Sequence, residues 1–204
     1  MSFNTVVEFE NKIAEFYNAP FAVCTDCCTH AIELCLRLTN IKTAVSPKHN
    51  YISVPFTFEK LGIDWRFESI NWHNYYYVTE NIIDAAVYWQ RDGYIPNTFM
   101  CLSFQYKKHL SLSRGGMILC SNKDDYLRFK KLSYDGRVPN VFWETQNIES
   151  IGYHYYMTPE TAQLGLDKLE LAKNTPPKRK GWRNYPDLSK MKVFKQIYTQ
   201  TAST

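Results

Sequence analysis

Two lysines, Lys107 and Lys108, stand on a loop that one apolar run, 98–102, enters and another, 117–120, leaves. A lysine between buried strands is costly unless it has a partner or a covalent task. Bonding to an aldehyde is one such task. Ser103 lies at the mouth of the same loop and would present a hydroxyl to the same ligand. A solvated basic turn is the plain alternative. Upstream, Asp84 directly follows the apolar pair Ile82-Ile83. That order puts a carboxylate at the carboxyl edge of a sheet, where ligands bind in open α/β folds. Asp84 would hold a proton on a ring nitrogen by a charge-assisted bond, or it would cap a helix running from Ala85 to Trp89. Asp26-Cys-Cys-Thr29 joins a strand to a helix, and a helix N-terminus suits a phosphate. Taken alone, that turn reads better as a helix capped by Thr29, and no glycine loosens it. Together, a phosphate seat, an acidic anchor and a strand-end lysine describe a pyridoxal 5′-phosphate (PLP) pocket.

The elements that must position these groups follow from periodicity. Apolar residues from Val6 to Tyr17 recur at helical spacing within a helix over 3–17, broken by Asn18-Ala-Pro20. A strand at 21–24 leads to a helix opened by Thr29. Strands are expected at 51–54, stopped by Pro55, at 65–70 and at 82–83. A helix at 124–132 ends near Gly136. The helix at 158–173 carries Thr158 as N-cap and Pro159 in its first turn. Strands alternating with helices predict a three-layer α/β/α domain with a mainly parallel mixed sheet. Residues 1–173 would form this compact domain. Residues 174–204 would follow as a basic, breaker-rich linker and tail lying over the surface, with a short docked helix at 191–199 and a disordered end at 200–204.

Bulk properties narrow the class. The chain has 204 residues, 45% of them hydrophobic and 22% charged, enough for one domain with a core. A net charge of +4 is too mild to argue for nucleic acid. No apolar run is long enough to span a membrane and the N-terminus has no export pattern, so a cytoplasmic protein with six reduced cysteines is expected. Cys24-x-x-Cys27-Cys28 with His30 fits half of a zinc site, but no second Cys-x-x-Cys follows. Buried thiols are the favoured reading, and no metal is expected.

In order and local sequence the chain resembles the DegT/StrS-type sugar aminotransferases, fold-type I PLP-dependent enzymes. The family's Ser-Gly-Thr phosphate turn corresponds to Cys27-Cys28-Thr29. Its Val-Pro-x-x-Thr-Phe segment matches Val54-Pro-Phe-Thr-Phe58 with a shifted gap. Asp-Ala-Ala matches Asp84-Ala-Ala86. Ser-Phe-x-x-x-Lys-x-Leu…Gly-Gly matches Ser103-Phe104, Lys108, Leu110 and Gly115-Gly116. Gly-Tyr-Asn-Tyr-Arg-Met-Thr matches Gly152-Tyr-His-Tyr-Tyr-Met-Thr158. The likeness runs from about residue 6 to residue 173.

The resemblance implies roles. Lys108 rather than Lys107 would be the Schiff-base lysine, and Asp84 would face the pyridine nitrogen. Cys28, Thr29 and Ser103 would hold the phosphate, Phe58 would cover the ring, and His154 would reach the phosphate of a partner subunit in a homodimer. The implied reaction moves an amino group from a donor such as glutamate to a keto-sugar, nucleotide-linked in many relatives. The departures are Cys28 for the glycine of the phosphate turn, Arg114 for the acid before Gly-Gly, Val87, His109, His154 and Tyr156, with a short C-terminal region in place of the small domain. A PLP-binding homologue without turnover therefore stands as the alternative.

Overall fold

The computed structural model describes residues 2–195. Helix α1 (Phe3–Tyr17) is capped by Ser2 and stopped by Asn18 in the left-handed conformation, and it buries Val6, Phe9, Ile13, Phe16 and Tyr17 on one face. There follow β1 (Phe21–Thr25), α2 (Cys28–Thr39), β2 (Thr43–Pro47), α3 (Ser53–Leu61), β3 (Asp64–Glu68), β4 (Tyr76–Tyr77), β5 (Ile82–Asp84), β6 (Phe99–Ser103), β7 (Gly116–Cys120), α4 (Lys123–Ser133) and α5 (Pro159–Asn174). Thr158 caps α5 as its sequence predicts, and Pro159 opens its first turn.

Five strands make one sheet in the order β1-β7-β6-β5-β4. Only β5 and β6 run parallel; β1–β7, β6–β7 and β4–β5 are antiparallel. The sheet is mixed but mostly antiparallel, which overturns the expected mainly parallel one. The cause is legible afterwards. Helices cover both faces, so the central strands are apolar throughout, a pattern that usually accompanies parallel strands. Direction is set by the connection instead. The link 104–115 holds no helix, and a link without a crossover returns the chain antiparallel. β2 and β3 form a separate parallel pair.

Alternation along the strands sorts the core into two layers. Ala22, Cys24, Met100, Leu102, Met117 and Leu119 pack with α1 and α5. Val23, Ile82, Cys101, Ile118 and Cys120 pack with α2 and with Phe129 of α4. The result is the expected α/β/α sandwich. Phe9 and Phe104 meet at 5.5 Å in the first layer. Each is fully buried, a stabilisation of about 1.5–3 kcal/mol.

Two local expectations also fail. Residues 51–54 are not a strand: they turn into α3, and Pro55 sits in its first turn, where a missing N–H costs nothing. No helix follows Asp84; residues 85–98 are irregular.

After α5 the chain lies back across the molecule. The Trp182 amide donates to the Trp72 carbonyl, and the Leu188 amide to the Lys48 carbonyl. Leu188 and Phe194 are buried, and Phe194 packs on Phe56, Trp65 and Phe67. The helix expected at 191–199 begins at 192–195; its remainder and residues 200–204 lie outside the described residues. Among the described residues, no helix is long and apolar enough to cross a membrane.

Candidate active site

Four strand ends meet the start of α2. Thr25 closes β1 opposite Gly116 of β7, and Gly116 also pairs with Ser103 at the end of β6. Asp84 closes β5 opposite Cys101. Alternation turns Asp84, Ser103 and Gly116 to the side of the sheet that α2 covers. A Cβ on Gly116 would lie 2.3 Å from the carbonyl carbon of Cys27 and 2.5 Å from the Cys28 nitrogen. Glycine there lets β7 approach the turn. Helix α2 begins at Cys28, and its N-cap, Cys27, makes no side-chain capping bond. Thr29 is therefore not the cap; its hydroxyl lies 2.7 Å from that of Ser53. A helix start without a cap leaves first-turn amides open to an anion.

Asp84 is buried at this edge. Its Oδ2 accepts from the Tyr76 hydroxyl at 2.7 Å, and its Oδ1 from the Ala86 amide at 2.9 Å. Burial pushes its pKa up, while these two bonds and the charge of Lys108 pull it back. Lys108 is half-buried on the 104–115 loop. Leu110 and Leu112 anchor that loop in the core, and the His109 ring meets the Ala172 carbonyl at 2.8 Å. Burial lowers the Lys108 pKa; Asp84 and Cys28 oppose the shift, and Lys180 adds to it. A cavity of about 270 Å³ opens beside Lys108 and Ser103.

The structure thus brings Cys28, Thr29, Asp84, Ser103 and Lys108 to one edge of the sheet. Phe58 does not join them. It is completely buried against Trp65 under α3, with no surface to offer a ligand. Its place followed from the family's Val-Pro-x-x-Thr-Phe segment, matched with a shifted gap; here α3 turns Phe58 inward. His154 is exposed and bonds Asp135 through Nδ1 at 2.9 Å, outside the Lys108 cavity.

Several neighbours escaped the sequence reading. Tyr76, on edge strand β4, is paired opposite Asp84; three consecutive tyrosines hid which one faces inward. Tyr185 comes from the tail, and burial, with Asp84 and Cys28 adding, pushes its hydroxyl up to about 12. Lys178 and Lys180 line the cavity from the same segment. Nothing local in the sequence announces these tail contacts.

The cysteine-rich turn resolves differently from a zinc half-site. Cys24 and Cys28 are buried, whereas the ligand-type atoms of Asp26, Cys27 and His30 lie within 4.8 Å of one another. Asp26 is already held by Arg114 at 2.6 Å and by His30 at 2.6 Å. Burial would lower the His30 pKa, but bonds to Asp26 and Cys27 outweigh it and raise it to about 9. A protonated imidazole and a guanidinium oppose a cation here. All six cysteines are free thiols.

Comparison with known proteins agrees with this architecture. The profile of the DegT/DnrJ/EryC1/StrS aminotransferase family matches residues 1–96 and 85–200, and the chain belongs to that family. No curated protein sequence matches it. Among solved structures, AtS13 from Actinomadura melliaura superposes with a TM-score of 0.70 at 17% identity, over 82% of this chain and 60% of that one. Helicobacter pylori PseC, an aminotransferase of pseudoaminic acid biosynthesis, gives 0.70 at 14%, over 82% and 58%. Spr1654 from Streptococcus pneumoniae, assigned as a sugar aminotransferase and captured in its PLP form, gives 0.67 at 18%, over 81% and 59%. These likenesses establish the shared fold. The chain spans less than two thirds of the length of each.

Proposed function

We propose that this chain binds PLP and transfers an amino group from an amino acid such as glutamate to a keto-sugar, with Lys108 as the reactive amine. What carries this reading is the meeting of Lys108, buried Asp84 and the uncapped start of α2 at one sheet edge. These residues fit the cofactor by their chemistry. The open amides of Cys28 and Thr29, with the Ser103 hydroxyl, would hold its phosphate. Asp84 would keep a proton on the ring nitrogen, its carboxylate supported by Tyr76 and Ala86. PLP, when bound, supplies an aldehyde and an electron-accepting ring.

The chain's own residues then do the following. Burial favours the neutral Lys108 amine, the form that attacks an aldehyde. Once released by an amino donor, the same amine is placed to carry a proton as general base. Leu110, Leu112 and His109 hold the loop so that the lysine stays at the cavity. As for partners, a homodimer is supported by an exposed apolar stretch that includes Val141, Phe142, Trp143 and Ile151. It immediately precedes His154, which would reach the partner's phosphate.

Addition of PLP to the purified protein tests this reading. A new absorbance band should appear, and borohydride should fix the cofactor on Lys108. Glutamate should then convert the band, and Lys108→Ala should abolish both effects. Absence of band and adduct would overturn the proposal. A band that no amino donor converts would favour a cofactor-binding protein without turnover.

A further inference from the structure

The cavity beside Lys108 has two unlike walls. Ser103, Lys107 and Lys108 form one; Pro176, Lys178 and Lys180 of the segment after α5 form the other. Four lysines and His109 line this space, and among the described residues no carboxylate does. Among the described residues, none of the four lysines is in an ion pair. The Lys180 ammonium makes a long hydrogen bond, 3.4 Å to the Lys107 carbonyl, which ties the two walls together. Asp84, the nearest buried acid, is engaged by Tyr76 and Ala86. A cleft lined by charges of one sign concentrates ligands of the other.

The phosphate seat proposed at α2 does not account for Lys178 and Lys180: of its residues only Ser103 lines the cavity, from the wall opposite the tail, while Cys28 and Thr29 do not line it. We infer that Lys178 and Lys180 form a second anion seat, on the tail side of the Lys108 cavity, that takes a carboxylate or phosphate group of the substrate. Its use in the reaction rests on the aminotransferase reading; the seat itself does not. A small volume suits one such group close to the reactive amine. The segment is held for this task by the backbone bonds from Asn74 to Lys180 and from Trp182 to Trp72.

Calorimetry on the full chain, with and without added PLP, tests the seat with two probes: glutarate for the carboxylate source and uridine diphosphate for the phosphate source. At least one should bind. The double variant Lys178→Ala, Lys180→Ala should weaken it by about tenfold or more, the loss expected from removing charge-assisted bonds. Lys180→Arg should retain affinity, and Lys42→Ala, an exposed lysine elsewhere, should leave it unchanged. Both alanine positions are side chains at the cavity rim, and circular dichroism checks that the fold persists. A loss confined to uridine diphosphate assigns the seat to a phosphate; one confined to glutarate assigns it to a carboxylate. Binding of neither probe, or equal binding by the double variant, overturns the inference. Failure of PLP to attach at Lys108 alongside lysine-dependent binding would refute the cofactor reading and leave the seat standing.

Discussion

His30 shows how far one side chain can be moved by its neighbours. It stacks on Tyr155 at 3.6 Å and bonds Asp26, which Arg114 also holds. Its pKa of about 9 stands above the ordinary 6.5, so the folded state keeps a proton that the unfolded chain has lost between those values. The stability this supplies is fully present below about pH 6.5 and disappears as pH rises through about 9. Asp26 is held below the usual carboxylate range: burial works against this, but His30 and Arg114 prevail, so the pair fails at the acid end only below that range. Wild-type stability should therefore decline from pH 6.5 to 9, and His30→Asn should flatten that slope. Chemical denaturation across this window, with the imidazole titrated by NMR, measures both. An imidazole that titrates near 6.5 would remove the basis for the pair.

At the scale of elements, buried charge joins helix to sheet. Glu10 of α1 accepts from the Cys24 amide of β1 and, through both oxygens, from Lys130 of α4, all at 2.8 Å. Both side chains are largely buried. Lys130→Met should cost about 3–5 kcal/mol because it strands a buried carboxylate. Adding Glu10→Gln should recover much of that loss, and urea unfolding of the three proteins measures the difference. The helices were the legible part of this architecture. α1 and α5 carry full periodicity and α5 its cap, so both stand where the sequence puts them. Strand direction was not legible from apolar runs, because strands such as β6 are buried on both faces, by Met100 on one and Cys101 on the other, and that pattern says nothing of direction, which the connection sets. Pro55 misled for a related reason: a proline ends a strand or starts a helix, and only tertiary context selects between them. At the site, Asp84, Ser103 and the lysine pair could be read from their places beside apolar runs, and only the family resemblance singled out Lys108. Tyr76 and Lys180 could not, since each arrives through pairing between distant parts of the chain.

For the whole molecule, the apolar stretch around 138–151 and the tail are the features that reach beyond one layer. Phe142 is 82% exposed and Trp143 58%. If this stretch is the seam of the proposed homodimer, Phe142→Asp with Trp143→Asp should shift the protein to a monomer in sedimentation velocity, with far-UV circular dichroism unchanged. A monomeric wild type would end that proposal. The tail has another side, which concerns the order in which the molecule is made. Trp65 and Phe67 belong to the small β2–β3 pair, yet part of their cover is Phe194. During synthesis these aromatics emerge well before Phe194 does, so an apolar surface waits near the ribosome until Phe194 follows. The time spent translating from Phe67 to Phe194 is then an interval in which a nascent molecule is open to chaperones and to its own kind.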